Sequence, residues 1–181
     1  MSKVKNYIDG VKSIENLITI SECRNLISKG NRIGFEEATV NSDNSQAVIK
    51  EIRNNYRVHI DDPGLAIKLY RRVFQYLPRT VDGWIVNGLN ERFRFYRYEK
   101  AQYFKWHQDD SYVKEPGLES RYTFLIYLNE DYEGGETEFE NFIVTPKTGM
   151  SVLFPHDLKH QARDIQTGVK YALRTDVMYR K

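Results

Sequence analysis

From Trp84 to the end of the 181-residue chain, apolar and polar side chains alternate, and this pattern constrains the fold more than any other feature. Successive side chains of a β-strand point to opposite faces of a sheet, so the alternation indicates strands. It is clearest at 93–98 and 122–127, and further strands are predicted at 136–144, 149–154 and 170–179. Turns are predicted at 133–135, 145–149 and 166–168. Short strands at this spacing favour a sandwich or a jelly roll.

Two helices are predicted before residue 80. Ser21 is expected to cap a short helix that runs through Leu26 and Ile27 and ends at Lys29-Gly30. After Asp61-Asp62-Pro63-Gly64, apolar residues from Leu65 to Leu77 recur at helical spacing, and Pro78 closes the segment. We expect this second helix to pack on the outside of the sheet. The sequence thus predicts one domain over 1–181, helical at about 1–80 and β-rich at about 84–181.

Composition excludes some classes of protein. Lys and Arg number 27 and Asp and Glu 25, and the net charge of +2 is too small to predict a polyanionic partner. The single Cys23 excludes an internal disulfide and a cysteine-rich metal site, and it is expected to be a small buried side chain. Neither a membrane span nor the apolar core of a signal peptide is found. We therefore expect a cytoplasmic protein without a membrane or nucleic-acid partner.

A metal site can draw on only four histidines. His107 and Asp109 are two residues apart, so in extended chain both side chains point to the same face. His160 follows the predicted strand 149–154 and is the candidate third ligand, delivered by a different strand. Two imidazoles and one carboxylate leave three positions of an octahedron open, which suits iron(II) better than zinc.

The other two histidines are weaker candidates. His156 and His160 are four residues apart and could bind one metal from a helix. However, His156 follows Phe154-Pro155, where a strand ends, and no Glu occupies the position that a zinc-protease helix requires. His59 is expected to be a packing or hydrogen-bonded residue.

Lys170 stands at the head of the last predicted strand. Alternation places Lys170, Ala172, Arg174 and Asp176 on one face of that strand, which suggests a wet or functional cavity. A cation held there would pair with the distal carboxylate of a bound dicarboxylic acid. The alternative is a solvated lysine at the end of a strand.

The chain resembles the prolyl 4-hydroxylase family of iron(II)- and 2-oxoglutarate-dependent dioxygenases in several sequence blocks that contain these residues. The resemblance spans most of 84–181. One departure is Ala101, which stands where the family commonly has a glycine before Gln102, so this turn must form without the free φ of glycine. The blocks that carry the resemblance are 94–103, His107-Gln108-Asp109, 121–129, Gly134-Gly135-Glu136-Thr137-Glu138-Phe139, and His160 with Lys170.

The resemblance implies a double-stranded β-helix, the cupin-like jelly roll, with N-terminal helices packed on one sheet. It also implies roles for individual residues. His107, Asp109 and His160 would be the iron ligands, and Lys170 would bind the far carboxylate of 2-oxoglutarate. Tyr98 and Thr123 match positions that support the same co-substrate, although either hydroxyl could instead be a cross-strand packing partner. Arg174 is in line with the pocket, and it would contact a carboxylate of the co-substrate or substrate, or pair with Asp176 or Asp164.

The implied activity is hydroxylation of an organic substrate with consumption of O2 and 2-oxoglutarate, release of succinate and CO2, and ascorbate (vitamin C) as a possible reductant. A prolyl residue of a peptide or protein is the favoured substrate. A free amino acid or other small metabolite, a cupin-like metal-binding module without turnover, and a nucleic-acid demethylase of the same superfamily stay open. Arg92, Arg94 and Arg97 alternate with aromatic residues, as in some nucleic-acid surfaces, but the balanced charge of the chain does not favour that interpretation.

Overall fold

The computed structural model describes residues 3–42 and 45–181. Within them, the N-terminal part contains two α-helices, one 3₁₀ turn at Phe74–Tyr76, and six short strands. These elements are β1 (Val4–Asn6), β2 (Lys12–Ile14), α1 (Ile20–Ile33), β3 (Glu36–Glu37), β4 (Val40–Ser42), β5 (Ser45–Ala47), β6 (Tyr56–Asp61) and α2 (Pro63–Val73).

The rest of the chain consists of strands and the loops between them. They are β7 (Thr80–Val81), β8 (Trp84–Leu89), β9 (Arg92–Tyr98), β10 (Phe104–His107), β11 (Val113–Glu115), β12 (Leu118–Tyr127), β13 (Tyr132–Gly134), β14 (Thr137–Phe139), β15 (Phe142–Val144), β16 (Ser151–Pro155), β17 (His160–Ala162), β18 (Ile165–Gly168) and β19 (Lys170–Arg180).

The described strands form one large antiparallel sheet, one small four-stranded sheet and two two-stranded sheets, β13-β18 and β4-β5. The large sheet runs β1-β2-β16-β12-β19-β9-β6-β3, with β11 beside β12 and β8 beside β19, and the small sheet runs β10-β17-β14-β15. This is the mainly β, jelly-roll architecture with helices on one sheet that the resemblance implies. The part predicted to be helical is not only helical, because β2 and β6 pair directly with strands of the β-rich part.

The core has a layer on each side of the large sheet. On the helix side, Leu69 and Val73 of α2 pack in one cluster with Phe93, Leu173 and Val177. The residues of β19 that alternate with these face the small sheet, among them Lys170, Ala172 and Arg174. Alternation along β19 therefore separates an apolar layer under the helices from a polar layer between the sheets.

The second helix is confirmed, with Asp62 as N-cap and an α-helical end at Val73. The boundaries of the first were wrong. It begins at Ile20, because Thr19 rather than Ser21 caps it and forms a capping box with Glu22, and it continues to Ile33. Gly30 does not end it. A Cβ at Gly30 would lie 3.0 Å from the Phe35 ring, so close packing explains this glycine.

Two predicted turns are paired segments in the structure. Residues 133–135 and 166–168 fall largely in β13 and β18, which pair antiparallel, with Glu133 opposite Thr167. The glycines of these segments have positive φ, yet the two segments satisfy each other's backbone hydrogen bonds across a large sequence separation. The predicted strand 136–144 is a hairpin of β14 and β15.

Cys23 is buried in the apolar cluster under the helices, as expected, and burial raises the pKa of its thiol to about 11. Within the described ranges, no helix combines the length and apolar character needed to cross a membrane. That residues 1–181 form one domain stays a prediction.

Candidate active site

Three potential metal ligands converge between the two sheets. His107 ends β10 and His160 begins β17, and the pairing of these strands places the two histidines opposite each other. Asp109 follows β10, and its carboxylate oxygens lie 3.8 Å from Nε2 of each histidine. One ligand atom of each residue lies within 4.8 Å of the others. Such spacing is that of donors around a single ion.

The backbone fixes the direction in which both imidazoles point. Nδ1 of His107 lies 2.7 Å from the Lys105 carbonyl, and Nδ1 of His160 lies 2.9 Å from the Leu158 carbonyl. A carbonyl only accepts, so each Nδ1 carries the proton, and each Nε2 keeps a free lone pair on the side of the Asp109 carboxylate, where a metal ion would accept it. Phe104 stacks on the His107 ring, with the two ring centroids 3.5 Å apart, and this contact restricts rotation of the imidazole.

Charges around the three residues favour the metal-binding protonation states. Burial lowers the pKa of His107 to about 3 and also lowers that of His160. Burial opposes ionisation of Asp109, but Arg174 and the two histidines together hold the pKa of its carboxyl well below its usual range. At neutral pH the site thus contains two neutral imidazoles and one carboxylate, which fits a divalent transition metal with three open positions.

Further side chains hold the Asp109 carboxylate. The Thr123 hydroxyl donates to Oδ2 at 2.5 Å, and Arg174 Nη2 lies 3.1 Å from Oδ1. Arg174 also pairs with the fully buried Asp176 at 3.1 Å, and Asp176 accepts from Arg94 at 2.9 Å. The predicted pairing of Arg174 with Asp176 is confirmed, and its second carboxylate is Asp109 rather than Asp164.

His156 is not a fourth ligand. Its Nδ1 lies 3.0 Å from the Thr123 hydroxyl and its Nε2 lies 2.9 Å from that of Ser120, so both ring nitrogens have partners. It precedes a turn rather than lying on a helix with His160. Because the Thr123 proton goes to Asp109, His156 donates from Nδ1 to Thr123 and thereby orients the hydroxyl.

Lys170 lies on the same face of β19 as Arg174, at the inner end of the pocket. It is 2% exposed, and its Nζ donates to the Gly135 carbonyl at 2.5 Å. The ring centroids of Tyr98 and Tyr127 are each 5.3 Å from Nζ. Among the described residues, no carboxylate forms an ion pair with it, and burial lowers its pKa to about 7. Lys170 is therefore a buried amine that is protonated in part at neutral pH and has no ion-pair partner among the described residues, although the charge of Glu136 acts on it from a distance.

The structure brings all seven predicted site residues to one pocket, lined among others by His107, Asp109, His160, Lys170, Tyr98, Thr123 and Arg174. Ala101 reaches its turn by adopting a φ of +61°, so the turn does use the left-handed region that glycine usually supplies. The predicted arginine cluster divides. Arg92 and Arg94 line a groove outside the pocket, whereas Arg97 packs over Phe35 and Tyr56.

Sequence reasoning missed Arg53, which stacks over Tyr96 and Phe104 beside the site. It is 4% exposed and reaches this place through an isolated β-bridge to Phe104. No periodicity marks it, because it lies outside the regular strands. Ser120 was missed for another reason, since it lies on β12 and only the arrangement of that strand beside its neighbours brings it to His156.

Comparison with solved structures shows the fold. The viral collagen prolyl hydroxylase of Paramecium bursaria Chlorella virus-1 has a TM-score of 0.65 at 19% identity, covering 93% of this chain and 95% of that one. The Pseudomonas putida prolyl-4-hydroxylase has a TM-score of 0.67 at 17% identity, covering 96% of this chain and 94% of that one. A Trichoplax adhaerens prolyl hydroxylase, solved with a hypoxia inducible factor peptide fragment, has a TM-score of 0.68 at 16% identity, covering 94% of this chain and 84% of that one.

A search of curated proteins by sequence found no match. A family model does match. Residues 93–175, which contain the three convergent ligands, Lys170 and Arg174, match the model described as the 2OG-Fe(II) oxygenase superfamily. Over residues 93–175 the chain is therefore similar to the 2OG-Fe(II) oxygenase superfamily, whose members are 2-oxoglutarate-dependent enzymes that use Fe(II) and O2, and its fold is that of the prolyl hydroxylases.

Proposed function

We propose that the chain hydroxylates a prolyl residue of a peptide or protein, with release of succinate and CO2. In this proposal His107, Asp109 and His160 bind Fe(II), and Lys170 binds the distal carboxylate of 2-oxoglutarate. The observation that carries it is the pairing of two features in one pocket. One is a set of three ligands held by neighbouring side chains, and the other is a buried ammonium group that has no carboxylate partner among the described residues.

Lys170 is suited to a dicarboxylic acid because the protein leaves its charge uncompensated. A bound carboxylate would form a charge-assisted hydrogen bond to Nζ and replace solvation that burial has removed. The backbone at Gly135 packs closely against the Lys170 side chain. A Cβ at Gly135 would clash with Ile165 Cδ1 and lie 3.2 Å from Lys170 Cδ, so glycine at this position leaves room for the aliphatic stem of Lys170. Tyr98 lines the same end, and we propose that it contacts the co-substrate too.

Thr123 and Arg174 act on the opposite end. Both are bonded to the Asp109 carboxylate, so we propose that they position this ligand rather than anchor 2-oxoglutarate. When bound, Fe(II) would activate O2, the oxidant, which takes two electrons from 2-oxoglutarate and two from a substrate C–H bond, so that one oxygen atom goes to succinate and the other to the hydroxylated product. The three protein ligands leave coordination positions for co-substrate and O2, and Phe104 and Phe154 shield the site from water.

A peptide substrate is supported by the shape of the approach. A groove of about 590 Å³ adjoins the pocket and shares His107, Asp109 and Arg174 with it. Two aromatic side chains in its wall, Trp106 and Tyr112, are each 39% exposed. An open groove with exposed aromatic rings suits an extended peptide chain, whereas small molecules are usually bound in closed cavities. One of the structural neighbours was also solved with a bound peptide fragment.

The first experiment tests the site without any substrate. Fe(II) and 2-oxoglutarate added without oxygen should produce a visible charge-transfer band. The band should be lost in Asp109→Ala and retained in Asp82→Asn, which changes an exposed carboxylate outside the pocket. A band of equal intensity in Asp109→Ala would contradict the ligand assignment.

The second experiment tests the substrate. In air, succinate formation should be stimulated by proline-containing peptides, and mass spectrometry should show one oxygen atom added at proline. Free proline and peptides in which alanine replaces proline are the controls. Equal stimulation by free amino acids would favour a small-metabolite hydroxylase, and stimulation by methylated oligonucleotides alone would contradict the proposal. Addition of ascorbate would test the predicted reductant.

A further inference from the structure

The groove outside the pocket carries more positive than negative side chains. Its wall includes five arginines, namely Arg53, Arg57, Arg92, Arg94 and Arg174, and two aspartates, Asp109 and Asp110. The whole chain, by contrast, has nearly equal numbers of cationic and anionic residues. The excess of arginine in the groove is therefore local, and it lies directly beside the proposed metal position.

The arginines differ in whether the protein already neutralises them. Arg94 and Arg174 pair with Asp176, and Arg92 lies 3.5 Å from the exposed Asp61. Arg53 and Arg57 form no ion pair with any described residue. The Arg57 guanidinium donates instead to the Thr39 hydroxyl at 2.8 Å. These two charges are thus available to an anion that enters the groove.

Arg53 is held in place with part of its hydrogen-bonding capacity unused. It is 4% exposed, its Nε donates to Asn55 Oδ1 at 2.6 Å, and its Nη2 is buried without a hydrogen-bond partner. The guanidinium carbon lies 4.8 Å from the centroid of the Tyr96 ring and 4.4 Å from that of Phe104. A buried donor without a partner is costly, and a bound carboxylate would satisfy it.

The electrostatics of the neighbouring groups agree with this. Burial and the nearby Arg53 charge lower the pKa of Arg57, which means that the two cations oppose each other. Partial burial and the arginines around it lower the pKa of His59 to about 4, so at neutral pH this imidazole adds no further charge. An anion between Arg53 and Arg57 would relieve their repulsion.

We propose that this arginine groove binds an acidic side chain of the substrate, so that the enzyme prefers a peptide with Asp or Glu close to the residue that it hydroxylates. The inference rests on the proposed peptide hydroxylation and specifies its substrate class. Arg53 and Arg57 are specificity-determining residues that form charge-assisted bonds to the carboxylate. A nucleic-acid strand fits less well, because binding along a phosphate backbone needs a longer positive track and the chain as a whole is nearly neutral.

The test uses matched peptides around one proline, with Glu, Gln or Lys at the flanking positions. For the wild-type protein, KM should be about tenfold lower with Glu than with Gln, and the difference should shrink in high salt. In Arg57→Gln the KM ratio should approach one, and in Arg57→Glu the Lys peptide should become the better substrate. Arg57 is chosen because it is less buried than Arg53. Arg71→Gln, an exposed arginine on α2, is the control and should keep the wild-type ratio.

Failure of the inference and failure of the proposed function give different results. Turnover of all peptides without a charge preference, or a preference that survives in Arg57→Gln, would overturn the inference alone. If no peptide is turned over, anisotropy of a labelled Glu peptide against its Gln counterpart still measures whether the groove selects acidic side chains. Tighter binding of a single-stranded oligonucleotide than of the Glu peptide would also overturn it. The anaerobic band shows in each variant whether the site is folded.

Discussion

The two ends of the pocket each contain a buried cation from the same face of β19, but their surroundings differ. Arg174 lies between the carboxylates of Asp109 and Asp176, each 3.1 Å away, and despite its burial these carboxylates raise its pKa. Among the residues that the structure describes, the hydrogen-bond partner of Lys170 is the Gly135 carbonyl alone, and burial lowers the pKa of Lys170 to about 7. We call the Arg174 side the complete end, because its cation has two carboxylate partners. We call the Lys170 side the incomplete end, because its amine has no carboxylate partner among the described residues.

The difference indicates which part of the chemistry each end provides. At the Arg174 end the protein uses its own charges to orient Asp109, which we propose as a metal ligand. At the Lys170 end it buries an amine that has no ion-pair partner among the described residues, and a bound carboxylate would favour the charged form of this amine. Substitutions at the complete end should therefore impair metal binding, whereas those at the incomplete end should impair co-substrate binding.

The largest effect is expected when the complete end loses its central carboxylate. Asp109→Ala removes a proposed ligand and should lower 2-oxoglutarate turnover by at least about 10³-fold. Arg174 keeps Asp176 as a partner, so the protein should still fold. Succinate formation and thermal denaturation measure the two effects. Turnover close to the wild-type rate would show that Asp109 is not a ligand.

The incomplete end should respond differently to the loss of its charge. Lys170→Met should weaken 2-oxoglutarate binding by about 2–4 kcal/mol, roughly 30- to 1000-fold, while leaving metal affinity nearly unchanged. Calorimetry with Mn(II) in place of Fe(II) can measure both.

The same substitution should stabilise the ligand-free protein by roughly 1–3 kcal/mol, because it removes a buried charge without a partner. The folded-state pKa of Lys170 is below its ordinary value of 10.5, so this gain is full below about pH 7 and fades as pH rises toward 10.5. Denaturant unfolding at several pH values checks it. Destabilisation at pH 6 would contradict the view that Lys170 lacks a counter-charge.

Thr123→Val tests how much the supporting bonds matter at the complete end. The hydroxyl that donates to Asp109 is lost with little change in shape, and metal affinity should fall by about 10- to 100-fold. Co-substrate affinity of the metal-loaded protein should change less. If instead 2-oxoglutarate binding weakens as much as in Lys170→Met, Thr123 contacts the co-substrate directly, as the family resemblance implies.

The pH dependence of co-substrate binding should distinguish the two ends further. A carboxylate prefers the charged form of Lys170, whose pKa in the free protein is about 7. Affinity for 2-oxoglutarate should be full below that pH and fall by up to about tenfold per unit above it. In Lys170→Met this dependence should be absent. A wild-type affinity that stays constant from pH 6 to 9 would contradict the assignment.

The smallest effect is expected at a turn outside both ends. Ala101 has a φ of +61°, a conformation that costs an L-residue about 1–2 kcal/mol and glycine very little. After the greater chain entropy of glycine is taken into account, Ala101→Gly should stabilise the protein by roughly 0.5–1 kcal/mol. Metal and co-substrate affinities should not change. The midpoint of denaturant unfolding measures the gain.

The direction of side chains along single strands was predictable from local sequence patterns. Alternation placed Lys170, Ala172 and Arg174 on one face, and the two-residue spacing of His107 and Asp109 let both point to the same ion. The second helix was also predictable, because its cap and apolar spacing lie within one short segment. These features depend on local geometry, which neighbouring residues specify.

Which side chains meet in the site depends on how distant strands pair and pack. Asp109 rather than Asp164 pairs with Arg174, and β13 pairs with β18 where turns were predicted. Arg53 reaches the site from outside any regular strand. Each of these contacts joins residues far apart in the chain, and strand pairing selects the partners through packing and backbone hydrogen bonds that no local pattern encodes.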